Sequence, residues 1–354
     1  MIIEIDAMDT LFFKDGKPFS MGEETWADGI FPPYPSTIYG ALRSKYFSEH
    51  IEDLSKANEA EDPTKDLKIR HIILKDYSGN IYFHLPKDFL KRKNENWEEV
   101  YRSKLIEDNS LSNNKLTHRL IPFNQENIFN SLEDGFFDFW GLSNYLEDSN
   151  NRLNYNSLVN FIDIEPKVGI SRSKHTHTSE EGKLYRVGMK RLKNIKIIVE
   201  FEDLDLPETG FLKLGGEGKT VAYHICEKDE VSLPQIDKYF KLYLATPTIF
   251  KNGWLPDWID SEKLEGTIPE TNLKVQLLTA ATGKPLKIGG FDMKARKPKK
   301  MFKAVPAGSV YFFKILSGNK EDLKKIHGKS ISQKRKNEGF GISYIGKFNL
   351  EENK

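Results

Sequence analysis

Ile2-Ile3-Glu4-Ile5-Asp6-Ala7-Met8-Asp9-Thr10-Leu11-Phe12-Phe13 is followed, one loop later, by Pro35-Ser36-Thr37-Ile38-Tyr39-Gly40-Ala41-Leu42-Arg43. In the first stretch Ile3, Ile5 and Ala7 alternate with Glu4, Asp6 and Met8, which is the period-2 pattern of a strand. Asp15-Gly16 reads as a turn, and Pro32, Pro33 and Pro35 punctuate the loop. Ser36 or Thr37 can cap a helix that runs to about His50. A strand followed by a proline-marked loop recurs in the second half, at 239–245 with Pro247. The repeat of that style points to an α+β chain with two similar parts and a boundary near Pro234.

Further along, 69–85 reads as a hairpin turning at Ser78-Gly79-Asn80, and the charged stretch 52–66 loops out. Residues 91–160, rich in Asn, Ser and charge, read as an insertion of short elements anchored by Phe136, Phe137, Phe139 and Trp140. Strands are predicted at 194–202, 220–226, 239–245, 273–280, 309–316 and 341–348, with a short helix around 319–327 and a helix or loop near 257–265.

The chain has 354 residues, 53 Lys+Arg, 52 Asp+Glu and one cysteine, Cys226. That length supports about two domains, and a lone cysteine excludes a disulfide framework and any Cys-based zinc site. No secretory leader or apolar run long enough to span a bilayer is visible, so a cytoplasmic protein without membrane contact is expected. The net charge of +1 hides an uneven distribution. Residues 236–354 hold 23 Lys+Arg and 12 Asp+Glu, or +11, which leaves 30 and 40, or −10, for 1–235. A basic part suits a polyanion. The stretch 126–165, with eight acidic residues opposed only by Arg152, reads as a solvated face or as a surface for a basic partner.

Four constellations could carry chemistry. Leu214-Gly215-Gly216-Glu217-Gly218-Lys219 lacks the spacing of the known nucleotide loops; hairpin turn and phosphate cradle are evenly matched. Lys284 to Lys303 holds eight basic residues and one acidic, Asp292, in a Gly- and Pro-containing loop, a one-sign run that favours phosphate contact. Gly339-Phe340-Gly341 is similar to the heart of the RNA-recognition sheet motif, but departs from it at Glu338 and Ile342; glycines that let a terminal strand pack closely on a helix are an equal reading. His175 and His177 fall at i, i+2, yet no third ligand accompanies them and Arg172 and Lys174 would repel a cation; a polar hairpin arm is the better reading. No catalytic triad, zinc-protease or phosphoryl-transfer set is present, and no cofactor is implied; Asp28 is the one carboxylate placed where an in-line ribonuclease could use it.

Together, Asp9 to Phe19, Pro35 to Arg43, Leu214 to Gly218, Ala245-Thr246-Pro247, Ala304-Val305-Pro306-Ala307-Gly308-Ser309-Val310-Tyr311 and Gly339 to Gly341 resemble the RAMP-superfamily subunit that caps type III-B CRISPR effector complexes, the third subunit of the Cmr complex. The resemblance implies two ferredoxin-like (RRM-like) domains, residues 1–235 with an insertion at about 50–165 and residues 236–354, with a β-hairpin arm at 168–190 laid across guide RNA. It implies a non-catalytic role in antiviral defence: binding the 5′ handle of the CRISPR RNA between the large polymerase/cyclase-type subunit and the backbone RAMP subunit. A metal-independent RAMP endoribonuclease, using Asp28, is the alternative. RNA contacts are then expected from Arg43; from Arg172, Lys174, His175, His177 and Arg186 on the arm; from Gly215, Gly216, Gly218 and Lys219; from Lys284, Lys287, Lys294, Arg296 and Lys297; and from Gly339, Phe340 and Gly341. The arm's Lys174-His175-Thr176-His177-Thr178 departs from the more usual Thr-Gly-Thr-Ala of the family.

Overall fold

A computed structural model describes residues 1–15, 26–93, 98–108, 115–149, 152–173, 175–227, 230–292 and 294–350. Antiparallel sheets beside two α-helices among the described residues make the fold α+β. Met1–Ile69, Val159–Glu227 and Lys287–Phe302 form one compact unit; Arg70–Leu158, Lys228–Leu286 and Lys303–Lys354 form the other. The turn expected at Asp15-Gly16 falls partly outside the described residues.

The first unit is built on Ile2–Ala7, which pairs antiparallel with Ile195–Glu202 on one side and Thr220–Ile225 on the other. Thr209–Lys213 pairs beyond Thr220–Ile225. Ile3 and Ile5 are buried, as their alternation predicts. Glu4 is buried as well, because Lys196 Nζ on the neighbouring strand reaches its carboxylate at 2.6 Å, and a buried charge needs such a partner. The helix is Pro35–Glu49, with Ile38, Ala41, Leu42 and Phe47 turned inward. Its start differs from expectation: Tyr34 occupies the N-cap and neither Ser36 nor Thr37 caps. Pro35 at the first helical position has its φ preset and lacks the N–H that a cap would satisfy.

In the second unit six antiparallel strands run in the order Glu265–Thr267, Lys274–Ala281, Val310–Ser317, Tyr239–Leu244, Ile342–Lys347, Lys329–Ser330. The six strands expected between 194 and 348 all form within one residue of their predicted bounds. The short helix expected around 319–327 is instead the 3-10 turn Lys320–Lys325, closed off between Gly318 and Gly328 at positive φ. The central strand Tyr239–Leu244 is buried on both faces. Phe240, Leu242 and Leu244 join Val275, Leu277 and Phe313 in one core, with the Phe240 and Phe313 rings stacked at 5.2 Å. The opposite face is covered by the insertion's own helix, Phe139–Leu146, so close that a Cβ on Gly346 would lie 2.9 Å from Leu146 Cα.

That second face contains a fully buried charge. Lys241 Nζ donates to Asp148 Oδ1 at 2.9 Å and lies 3.9 Å from the Tyr145 ring centroid. Arg102 pairs with the same carboxylate, and the Asn349 N–H donates to its Oδ2 at 3.1 Å. Burial pushes the Asp148 carboxyl up, and Lys241 and Arg102 more than reverse this, leaving it below its usual range. Burial, helped by the charge of Arg102, pushes the Lys241 ammonium down to about 8. The folded chain therefore loses this proton before the unfolded chain does, and the stability gained by deprotonation is absent at neutral pH and complete above the unfolded value. From this group alone, stability should rise by about 3 kcal/mol between pH 8 and 10.5, because each tenfold difference in proton affinity between the folded and unfolded chains is worth roughly 1.4 kcal/mol. Urea unfolding of wild type and Lys241→Met across that window checks it: the rise should vanish in the variant, and parallel curves would remove the buried-charge assignment.

Candidate nucleic-acid interface

The arm is a two-stranded ribbon, Ile162–Arg172 against Ser179–Leu192, in continuous antiparallel register from Ile162↔Leu192 to Ile170↔Leu184. It is rooted in the first unit. Leu11 and Lys190 exchange both backbone hydrogen bonds, at 2.8 and 2.7 Å, and Trp26–Ala27 adds a short parallel pairing at Arg186–Val187. Opposed charges belt the root: Arg191 pairs with Glu165 and lies 3.6 Å from Asp9, Lys193 pairs with Asp163, and Lys167 pairs with Glu217. Lys190 itself is buried, which lowers its pKa, while Asp28 acts in the opposite direction. Asp28 is adjacent; a Cβ on Gly188 would stand 3.2 Å from its carbonyl oxygen.

Two features of the arm stand out chemically. Ile164, Val168 and Ile170 are 54%, 57% and 49% exposed, and their even spacing places them on one face. Exposed Arg186 lies opposite Val168 on that face. At the tip, the guanidinium of Arg172 donates from Nε and Nη2 to the His177 carbonyl at 3.1 and 3.0 Å. His175 and His177 are exposed in the turn, with His177 at φ 56, rather than on one side of a strand. Lys174 lies outside the described residues. The aliphatic stripe was missed by reasoning from charge, although its alternation is visible in the sequence.

The glycine loop is a hairpin turn docked against Phe12. Gly216 N–H donates to the Phe12 carbonyl at 2.8 Å. Gly215, at φ +81, would place a Cβ 2.6 Å from that same oxygen, so only glycine permits the approach. Lys219 donates to Asp9 and holds its carboxyl down at about 2. Lys219 is thus occupied within the protein, and of the three glycines only Gly218 faces open space.

Two more of the expected RNA-binding cations are engaged within the protein. Lys294 Nζ donates to the Ser55 and Ala57 carbonyls at 3.1 and 2.7 Å and to Glu59 at 2.6 Å. Arg43 donates to Thr64 Oγ1 at 2.6 Å and Asn58 Oδ1 at 3.0 Å and pairs with buried Asp62. The stretch 52–66 is largely exposed, as expected of a loop, and is tied down at Ala57, Asp62 and Thr64, which are buried where these two cations pair with Glu59 and Asp62 and hold the Ser55 and Ala57 carbonyls. Lys287, Arg296 and Lys297 remain exposed, and Lys284 is 91% exposed with Glu133 3.8 Å away.

Residues 3–348 match the family model described as CRISPR-associated protein (Cas_Cmr3). The chain belongs to that family. It is similar to a chain of the cryo-EM structure of the Type III-B Cmr-beta bound to cognate target RNA, at 19% identity and a TM-score of 0.52, over 92% of this chain and 88% of that one. Cmr-beta bound to cognate target RNA and AMPPnP, state 1, gives 18% identity and a TM-score of 0.49 over 88% and 86%. The Csm3-Csm4 subcomplex of the type III-A CRISPR-Cas interference complex gives 14% and 0.37 over 99% and 100%. At these identities the likeness concerns the fold alone. No curated protein sequence matches the chain.

In this Cas_Cmr3 family member, Gly339-Phe340-Gly341 is architectural. Phe340 has no exposed area, so its ring is not available to stack a base. Gly341 N–H donates to the Pro247 carbonyl and Thr246 Oγ1 donates to the Gly339 carbonyl, so the motif docks on Ala245-Thr246-Pro247. Of the acidic stretch, the Asp148 side chain is buried, Asp138 caps the Phe139–Leu146 helix, and Glu147 pairs with Lys347. Phe136 and Phe137 anchor the insertion as expected, whereas Trp140 is 64% exposed. Among the described residues no group of three His, Cys, Asp or Glu is placed to hold a metal ion, and no helix is long and apolar enough to cross a membrane.

Lys294→Met should destabilise the chain by about 1 kcal/mol, because hydrogen bonds to a charged group, worth about 1.5–3 kcal/mol, are weakened by solvent at this half-exposed site, and should expose residues 55–59 to hydrogen exchange. Lys297→Met should stay within about 0.5 kcal/mol of wild type, as an exposed substitution does. Equal melting of the two variants would remove the strut.

Proposed function

We propose that the chain is a non-catalytic RNA-binding subunit of a type III-B CRISPR effector complex, anchoring the 5′ handle of the CRISPR RNA and bridging the large polymerase/cyclase-type subunit to the backbone RAMP subunit. The observation that carries this reading is the rooted arm with its exposed aliphatic stripe beside Arg186. A single-stranded guide offers phosphates to grip and bases that can be splayed. Aliphatic side chains can wedge between bases at a cost of about a few kcal/mol per step, which a neighbouring cation helps to offset.

The order 2-3-1-4 of the four longer strands in the second unit supports a ferredoxin-like (RRM-like) repeat there. The base-stacking use of such a sheet is disfavoured, because Tyr239–Leu244 is covered on both faces. That directs RNA to the arm instead.

In a reconstituted complex, Arg186→Ala should flatten log K against log salt by about 0.7 for the handle, at roughly 0.7 per lost phosphate contact on a single strand. The guide should lose nuclease protection at one step near the handle's end. An unchanged slope and footprint would overturn the arm assignment.

Non-catalysis has its own test. Asp28→Ala should leave guide processing and target cleavage by the complex at wild-type rates. Cleavage by the purified chain that disappears with Asp28→Ala would establish the endoribonuclease reading instead.

A further inference from the structure

Away from the arm, the first unit contains an open cavity of about 560 Å³ between the outer face of the Pro35–Glu49 helix, the Ile51–Lys56 turn and the Phe291–Lys299 hairpin. Its floor is the ridge Gly40, Ser44, Ser48, exposed small residues four apart on one helix face. Its walls carry carbon: Phe47, with Leu54 and Phe291 about half exposed. Arg43 and Lys294 also line it, but their donors are engaged by Thr64, Asn58 and Asp62 and by Ser55, Ala57 and Glu59. On the hairpin, exposed Arg296, Lys297 and Lys299 form no ion pair among the described residues.

Asp292 lines the cavity too, its carboxylate accepting from the Ala295 N–H at 2.9 Å and held below its usual range by that bond and by Lys299 and Lys297. Arg296, Lys297 and Lys299 outnumber that one carboxylate, so a trough of carbon with a net positive rim suits a ligand that puts carbon inside and carboxylates outside. A polyanionic strand would instead want cations pointing into the trough. We propose that this groove docks an acidic amphipathic segment of a partner protein, with two apolar anchors inserted beside Phe291 and Leu54 and glutamates or aspartates facing Lys297 and Lys299. This is the helix-in-groove mode of recognition, and it goes beyond the RNA-binding reading, on which it does not depend.

The probe is a fluorescein-labelled peptide of about a dozen residues with Phe and Leu four apart among glutamates, titrated into the full chain. Its lysine-for-glutamate version and a single-stranded RNA of similar length serve as competitors. The acidic peptide should bind and the lysine version should not. Ser44→Trp, which fills the trough, and Phe291→Ala should each weaken binding by about thirtyfold, the loss typical of a central anchor. Gly40→Leu should do the same while leaving the melting temperature at or above wild type, since the space at its Cβ is empty and helix propensity improves. Lys297→Glu with Lys299→Glu should reverse the preference between the two peptides. Acidic-peptide binding that is absent, or that survives Ser44→Trp and Gly40→Leu, overturns the proposal. RNA that displaces the peptide, and whose own binding is lost in Gly40→Leu, overturns it in favour of a nucleic-acid groove.

Discussion

The reciprocal backbone pair between Leu11 and Lys190 is the constraint on which the candidate interface depends. A two-stranded ribbon has too little buried surface to be stable alone in water. By joining the ribbon to the end of the first sheet's central segment, the pair gives it a root. Once Leu11 is fixed, Phe12 presents its carbonyl to the glycine loop, and Asp9 sits where both Lys219 and Arg191 reach it. Segments far apart in sequence (9–13, 162–192 and 214–219) therefore share one wall. The wide spacing of these residues makes the arrangement costly to close in entropy, which is why several weak contacts converge there instead of one strong one.

Formal charge is a poor guide to which surface is electropositive. The basic run from Lys284 to Lys303 contains one cation, Lys294, that caps carbonyls of a neighbouring turn, while Arg296, Lys297 and Lys299 beside it are unpaired among the described residues. Two residues of the same type and sequence neighbourhood thus do opposite work. What separates them is whether carbonyl oxygens and a carboxylate stand within hydrogen-bond reach, a property of the fold and not of the run. The acidic stretch divides in the same way, with Asp148 withdrawn under Lys241 and Arg102 while Glu133 stays exposed.

The strands of the second half were legible because each is a short aromatic and aliphatic run closed by glycine or proline, as Tyr239–Leu244 is by Pro247 and Val310–Ser317 by Gly308 and Gly318. The helix after Pro35 was legible for the same local reason. Phe139–Leu146 was not read as a helix, since Phe, Trp and Gly at its start are poor helix formers and its stability comes from packing on the sheet. The union of Lys241 with Asp148, 93 residues apart, leaves no local trace. Phe340 was misplaced by a motif: the glycines around it permit a close backbone turn, and that same turn points the ring inward.

This separation of frame from surface bears on how the arm can vary. The glycine motifs are held by their own backbone contacts, Gly215 and Gly216 on Phe12 and Gly341 on Pro247, so a side chain at Gly215 or Gly341 would displace a neighbouring segment. The arm's tip is closed differently. Ser173 N–H donates to the Thr178 carbonyl, His177 N–H to the Ser173 carbonyl, and Arg172 clamps the His177 carbonyl. The Ser173 hydroxyl accepts from the His175 and Thr176 N–H groups, and Thr176 Oγ1 lies 2.7 Å from Thr178 Oγ1, while His175 and His177 are exposed. The identity of His175 is therefore nearly free of folding cost, and it lies where the sequence departs from the more usual Thr-Gly-Thr-Ala. That position can change without disturbing the root, whose contacts are made by Leu11, Lys190 and Arg191.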